Sequence, residues 1–402
     1  MRHIGTIGLA LVCLVTGAGL QRCYDIQRQQ SAPAIERSST APPPAVAPLA
    51  PPAVPYGSIH FQQEPLWAYG FERPPQPGER ATPQAPPNQV RELTDEQARL
   101  RHIPGSQAGF SLAQIGDAQN VADWFPQDHP PMPAVIAHGP AALGSLRRGC
   151  ALCHLPNGKG RPENAPPGGL SATYIRRQLE DFRAGLRYSA DPRKPNTNTM
   201  IELAKAMSDE ELKTATEYFA AIPFTAWVRV IETARVPKTR IDNNLFLALE
   251  PQRTEPIAGR IIEVPENEEQ SETYRNPHSG FIAYVPPGSI AKGGELVTTG
   301  GTHVVGQKTV PGKTIACITC HGTDLMGIGD VPAIAGRSPS YLVRQLWDIQ
   351  QGTRRGLSSA LMKMVVANLS GEDVVDLAAY IASRSPTRVT TAAPITPSTA
   401  SN

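Results

Sequence analysis

Cys150-Ala151-Leu152-Cys153-His154 and Cys317-Ile318-Thr319-Cys320-His321 are two copies of one five-residue pattern, and they constrain this chain more than anything else in it. Two thiols three residues apart on a tight turn can form thioethers to both vinyl positions of one haem. The histidine next in line then projects its imidazole at the iron from below the same ring. Residue frequencies alone predict about 2 × 10⁻³ such patterns in a chain of this composition, so two of them are not an accident. A four-cysteine zinc site or a redox dithiol would use the same cysteines. Zinc requires no histidine after each pair, and a cytosolic redox motif does not belong behind an export signal.

Such a signal is legible at the start. Arg2 and His3 precede an apolar stretch from Ile4 to about Leu20, with Gly17, Ala18 and Gly19 near its end. Residues 1–22 read as a signal peptide or, because the cleavage site is poor, a retained membrane anchor. Cys23 follows Leu20-Gln21-Arg22, which lacks the small residues that a lipidation signal requires. With Cys13 inside the signal, no cysteine pair is left for a structural disulfide. The net charge of +2 is too small to argue for a nucleic-acid partner, and no run of Lys or Arg concentrates it, so none is expected.

The pattern belongs to a longer repeat. The cysteine pairs are offset by 167 positions, and the same offset carries Tyr174 to Tyr341, Arg177 to Arg344, Gln178 to Gln345, Leu179 to Leu346 and Gly185 to Gly352. Beyond that helix the offset becomes 162, matching Ser208 with Ser370, Glu210 with Glu372 and Tyr218 with Tyr380, so the second copy is about five residues shorter between its helices. Ser208-Asp209-Glu210-Glu211 and Ser370-Gly371-Glu372-Asp373 each supply an N-cap and an acidic first turn. After them Leu212, Ala215, Tyr218 and Phe219, and in the second copy Val374, Leu377, Ala378 and Ile381, repeat at helical spacing. The 162 offset also sets Met200 opposite Met362, in a stretch read as a loop, and methionine is the soft, neutral sixth ligand expected of an electron carrier. Met207 matches the apolar Leu369 and reads as core; Met364 matches Glu202 and loses the support of the repeat.

These residues together resemble the tandem two-haem class I cytochromes c of bacterial periplasms, over about residues 132–224 and 286–386. Tyr341-Leu342-Val343-Arg344-Gln345-Leu346 and the run Met362 to Ser370 look much like that family's middle helix and methionine loop. The resemblance implies a mainly α fold with two small haem domains packed face to face. It further implies two covalently attached haem c groups, held at Cys150, Cys153 and His154 and at Cys317, Cys320 and His321, with iron ligated by His154 and Met200 and by His321 and Met362. The family has glycine after the attachment histidine, as at Gly322, where the first site has Leu155. It also has a proline whose carbonyl accepts a hydrogen bond from the ligand histidine. Pro332 fits, whereas the first copy has Ala165 there and leaves that bond open.

Proline, at 41 of 402 residues, is about twice its usual frequency. It concentrates in residues 31–90, which read as a Pro/Ala-rich linker or tether. Residues 91–131 form an N-terminal extension in which Glu92 to Gln114 could be helical with a break at Pro104; its Trp124, Phe125 and His129, with Met132 just beyond it, read as packing or capping for the first haem domain. Residues 225–285 alternate as short strands, as at Trp227 to Ile231 and Phe281 to Val285, and read as a β-containing connector; residues 387–402 read as a disordered tail. His278 and His303 read as solvated, and Tyr274, Arg275 and Lys292 carry no functional assignment.

Two six-coordinate haems leave one-electron exchange as the chemistry. The expectation is a periplasmic carrier, soluble or tethered to the inner membrane, with no catalytic residue. Its electrons would come from an exported dehydrogenase or a quinol-oxidising complex and go to a terminal oxidase, a reductase or a smaller cytochrome. Two alternatives stand beside it: a dedicated cytochrome subunit of a periplasmic dehydrogenase, and a dihaem enzyme of the peroxidase or thiosulfate-oxidising type with one open haem.

Overall fold

The computed structural model describes residues 64–80, 94–250 and 252–387. The signal or anchor of residues 1–22, residues 388–402 and most of the tether lie outside them. Among the described residues no helix is long and apolar enough to cross a membrane.

Part of the expected tether is core. Leu66-Trp67-Ala68-Tyr69 is an apolar island between prolines, and it forms a short helix, α1 (Leu66–Tyr69), closed by Gly70 in the left-handed conformation. Tyr69 is fully buried. The extension is not one helix. Thr94 and Ser111 each build a capping box, but the helices they start, α2 (Asp95–Ala98) and α3 (Leu112–Ile115), run one turn each. Between them β1 (Leu100–Arg101) pairs with β2 (Phe110–Ser111) across a turn containing Pro104 and Gly105, which takes a positive φ. Proline and glycine there favour a turn over a continuous helix.

The first copy follows. Helix α4 (Ala134–His138) packs on the motif helix α5 (Cys150–His154), and α6 (Ala172–Arg183), α7 (Pro195–Ala206) and α8 (Asp209–Ala221) complete it. Its core joins Ile136, Ile175, Leu179, Met207, Leu212, Ala215 and Phe219.

The connector is a set of small sheets. Strand β3 (Val228–Glu232) is followed by β4 (Arg235–Pro237), β5 (Thr239–Asp242), β6 (Leu245–Ala248), β7 (Thr254–Pro256), β8 (Ile262–Pro265) and β9 (Phe281–Val285). β9 lies between β3, to which it is parallel, and β8, to which it is antiparallel. Asn243 and Asn244, both at positive φ, turn the β5–β6 hairpin, where asparagine tolerates the left-handed region.

The second copy begins with α9 (Ser289–Thr299) and a hairpin of β10 (His303–Val305) and β11 (Lys308–Val310), then the motif helix α10 (Ile318–His321). Helices α11 (Pro339–Gln350), α12 (Ser359–Val366) and α13 (Gly371–Ala382) complete it. The repeat extends to the caps. Ser171 and Ser338 accept from the backbone N–H of Tyr174 and Tyr341, while Ser208 and Ser370 form capping boxes with Glu211 and Asp373. Each such cap contributes about 1 kcal/mol. At the crossing of α9 and α13, Gly293 is required by close approach: a Cβ there would lie 2.0 Å from the Asp376 carbonyl oxygen.

Candidate haem sites

A cleft with about 1440 Å³ of atom-free space, part of it open to solvent, is lined by Cys150, Cys153, His154 and Met200 among others. Four elements or their ends bring these side chains together. Helix α5 carries both cysteines and the histidine. Met200 is on α7, a helix rather than the expected loop, because Pro195 sits at its first position with φ preset for a helical start. Ala215 and Phe219 of α8 and Ile175, Leu179 and Phe182 of α6 add an apolar wall. Apolar walls facing paired thiols and an imidazole suit a large flat group.

The histidines are held alike. His154 Nδ1 lies 2.7 Å from the Ala165 carbonyl oxygen, and His321 Nδ1 lies 2.8 Å from that of Pro332. A carbonyl only accepts, so Nδ1 carries the proton and Nε2 keeps the lone pair that binds a metal. The bond that the first copy left open is therefore made, by the backbone of an alanine. Burial lowers the affinity of both imidazoles for a second proton, which favours the neutral, ligating form. Burial also pushes the Cys150 thiol up to about 12 and Cys317 to about 11.

In the second copy His321 is buried, Cys317 is half-buried and Cys320 is exposed. Met362 lies on α12, again a helix, and packs against the core shared by α11 and α13, while Met364 on the same helix is exposed. Met207 is buried with the first core, as expected of its match to Leu369, though it also borders the cleft.

The residue after each histidine shows why glycine is preferred there. Gly322 has φ 82° and ψ 160°, and Leu155 has φ 59° and ψ 154°. This region is close to glycine-only, and another residue in it costs about 1–3 kcal/mol. Leu155 is buried at 6% exposure against the extension, and burying such a side chain contributes about 1.5–3 kcal/mol, enough to offset the strain.

The two copies meet through a pseudo-two-fold network. Arg187 and Arg354 bridge backbone to backbone in antiparallel sense. Arg187 donates to Gln178 at 2.9 Å and Gln345 at 2.8 Å, and Arg354 donates to the same two oxygens at 2.9 and 3.2 Å. Each also reaches the tyrosine of the other copy, Tyr341 or Tyr174. Sequence reasoning matched Gln178 with Gln345 and Tyr174 with Tyr341 but passed over the arginines. Their own 167 offset, two residues beyond Gly185 and Gly352, is the signal that could have found them.

The extension and connector close over the first motif. Ala151, Leu152 and Leu155 face Ile115, Val121 and Trp124. Trp124 Nε1 donates to the Tyr274 carbonyl at 2.7 Å, and Arg275 Nη1 donates to the Leu152 carbonyl at 2.8 Å. Phe125 is buried and stacks on His278, whose Nε2 lies 2.5 Å from Asp128; the His278 side chain is 45% exposed, as expected of a solvated residue. His303 is exposed.

The donor set therefore fits a covalent haem: paired thiols, an adjacent histidine with Nε2 free, and a methionine across the same cleft. The Cytochrome c family matches residues 306–385. Cytochrome c-554(548) of Halomonas halodenitrificans is 39% identical over 73 residues, covering 18% of this chain and 88% of that protein. The thiosulfate dehydrogenase electron acceptor of Stutzerimonas stutzeri is 25% identical over 246 residues, covering 60% of this chain and 80% of that protein. Cytochrome c4 of Azotobacter vinelandii is 35% identical over 100 residues, covering 23% of this chain and 48% of that protein. With two attachment motifs on one chain, this protein belongs to the dihaem class I cytochrome c family and carries covalently bound haem c.

Proposed function

We propose that the protein is a periplasmic electron carrier built from two tandem cytochrome c domains, residues 132–224 and 286–386, joined by the connector of residues 225–285. His154 and Met200 ligate one iron, and His321 and Met362 the other. The observation that carries this reading is the matched pair of histidines, each fixed through Nδ1 to a backbone carbonyl, with a methionine at the same repeat position in each copy. Each haem supplies one-electron exchange at its iron. The chain's part is to hold each imidazole in the ligating tautomer and to wall the first cleft with apolar side chains that exclude water. It also locks the two copies at a fixed separation through Arg187 and Arg354. Its donor would be an exported dehydrogenase or a quinol-oxidising complex, and its acceptor a terminal oxidase, a reductase or a smaller cytochrome. The similarity to a thiosulfate dehydrogenase electron acceptor over 60% of the chain favours a second reading, in which the donor is one dedicated periplasmic dehydrogenase.

Absorption spectra of the purified protein, oxidised and reduced, with and without carbon monoxide, test the ligand set. Two His/Met haems give a weak red-edge band that vanishes on reduction and no shift with carbon monoxide. A carbon monoxide shift in about half of the haem would mean one open iron and an enzyme of the peroxidase or thiosulfate-oxidising type.

A further inference from the structure

Lys194 stands immediately before α7 and lines the first cleft. It is 2% exposed, and its Nζ has no hydrogen-bond partner among the described residues. The charged groups around it are engaged elsewhere. Asp191 binds Arg193, Asp348 accepts from the Tyr69 hydroxyl and the Ala190 N–H, and Arg344 donates to the carbonyls of Ala68 and Pro162. Glu163 pairs with Arg161 through one oxygen; its other oxygen is also unpartnered, but among the described residues no carboxylate comes within ion-pair distance of Lys194. A buried ammonium without a counter-charge is strongly unfavourable, by several kcal/mol in real proteins. Asn196, at the second position of α7, borders the same cleft, so the unpaired N–H groups of that helix start beside Lys194. An ammonium and a helix N-terminus facing one space call for an anion from outside the chain.

We propose that Lys194 receives a propionate carboxylate of the first haem, and that the second copy has no equivalent. The inference rests on reading the first motif as a haem site. Arg187 matches Arg354 and Met200 matches Met362, so residues 188–199 of the first copy stand against only residues 355–361 of the second. The five extra residues fall in the stretch that contains Lys194. At an offset of 162 its counterpart is Gly356 and at 167 it is Leu361, neither of them a cation. The ammonium offsets a negative charge that would otherwise favour the ferric iron. It therefore raises the midpoint potential of the first haem and leaves the second alone.

Redox titration of K194M and K194R, followed in the visible spectrum after the covalent haem content has been counted by mass, tests this. In K194M one midpoint should fall, favouring the ferric form about tenfold, which is about 59 mV for one electron. The other midpoint should stay put. K194R should keep both midpoints at wild-type values. Unchanged midpoints in K194M with two haems bound would overturn the proposal. So would a red-edge band that strengthens in K194M, which would place Lys194 at the iron of the native protein in the position given to methionine. If K194M fails to load its first haem, K194R decides: normal loading and midpoints support the charge pairing, and failure in both variants overturns it. Wild-type protein with a single covalent haem would sink the reading of the first motif itself, a failure distinguishable from that of the lysine.

Discussion

The two motif helices α5 and α10 share a sequence pattern and differ in almost everything packed against them. The first is clamped. Its entering helix α4 is reduced to five residues, and the extension and connector close over Ala151, Leu152 and Leu155 in its place. The second keeps an entering helix of eleven residues, which crosses α13 so closely that only glycine fits at position 293, yet Thr319 and Cys320 face solvent. Five residues are enough to specify the attachment chemistry. Who can approach that chemistry is decided by elements far away in the chain, and the repeat has diverged there.

This contrast can be broken. Trp124, 2% exposed and hydrogen-bonded to the connector, joins the extension to the clamp, so Trp124→Ala should cost about 3–5 kcal/mol in urea unfolding. A loss under about 1 kcal/mol would make the extension a bystander. Gly293→Ala strikes the other copy, forcing α9 away from the Asp376 carbonyl, and should cost about 3 kcal/mol. The double variant sharpens the comparison. Sites so far apart should add to within about 0.5 kcal/mol, and a larger departure would mean that the copies unfold as a coupled pair.

The smallest effect is a pH dependence seated on the second copy. Glu263 of β8 accepts from the Ser338 hydroxyl and the Ser340 N–H at the start of α11. Burial pushes its carboxyl up to about 7, well above the ordinary value near 4.3. The folded protein thus holds a proton that the unfolded chain has already released. The stability from this site is fully present below about pH 4 and is lost as the pH rises through about 7. Glu263→Gln should therefore match the native melting temperature at pH 4.5 and exceed it at pH 8, by about 2 kcal/mol in stability. Equal melting temperatures at pH 8 would show that the carboxyl is already ionised without penalty.

Much of this was legible because it is periodic. The motif spacing, the 167 and 162 offsets, the serine caps and the apolar stripes of α8 and α13 are all local patterns, and the structure has them where the residues put them. What stayed hidden depends on distant contact. Leu66 to Tyr69 is too short to stand out from a proline-rich stretch, and only the Asp348 carboxylate and the face of α11 make it core. The second-copy proline is visible as a residue type, whereas in the first copy the same bond comes from the backbone of Ala165, which any residue could supply. Lys194 looks like one more charged residue in a loop until burial takes away every partner.

Arg187 and Arg354 each grip both glutamines, the kind of self-complementary contact found where two identical subunits meet about a two-fold axis. In a true dimer every substitution appears twice, so neither half can specialise without the other. Written as one chain, the same handshake binds halves that are inherited together but altered singly. One half could accept an extra five residues and a lid of foreign sequence while the other stayed bare, and the joint between them did not have to change.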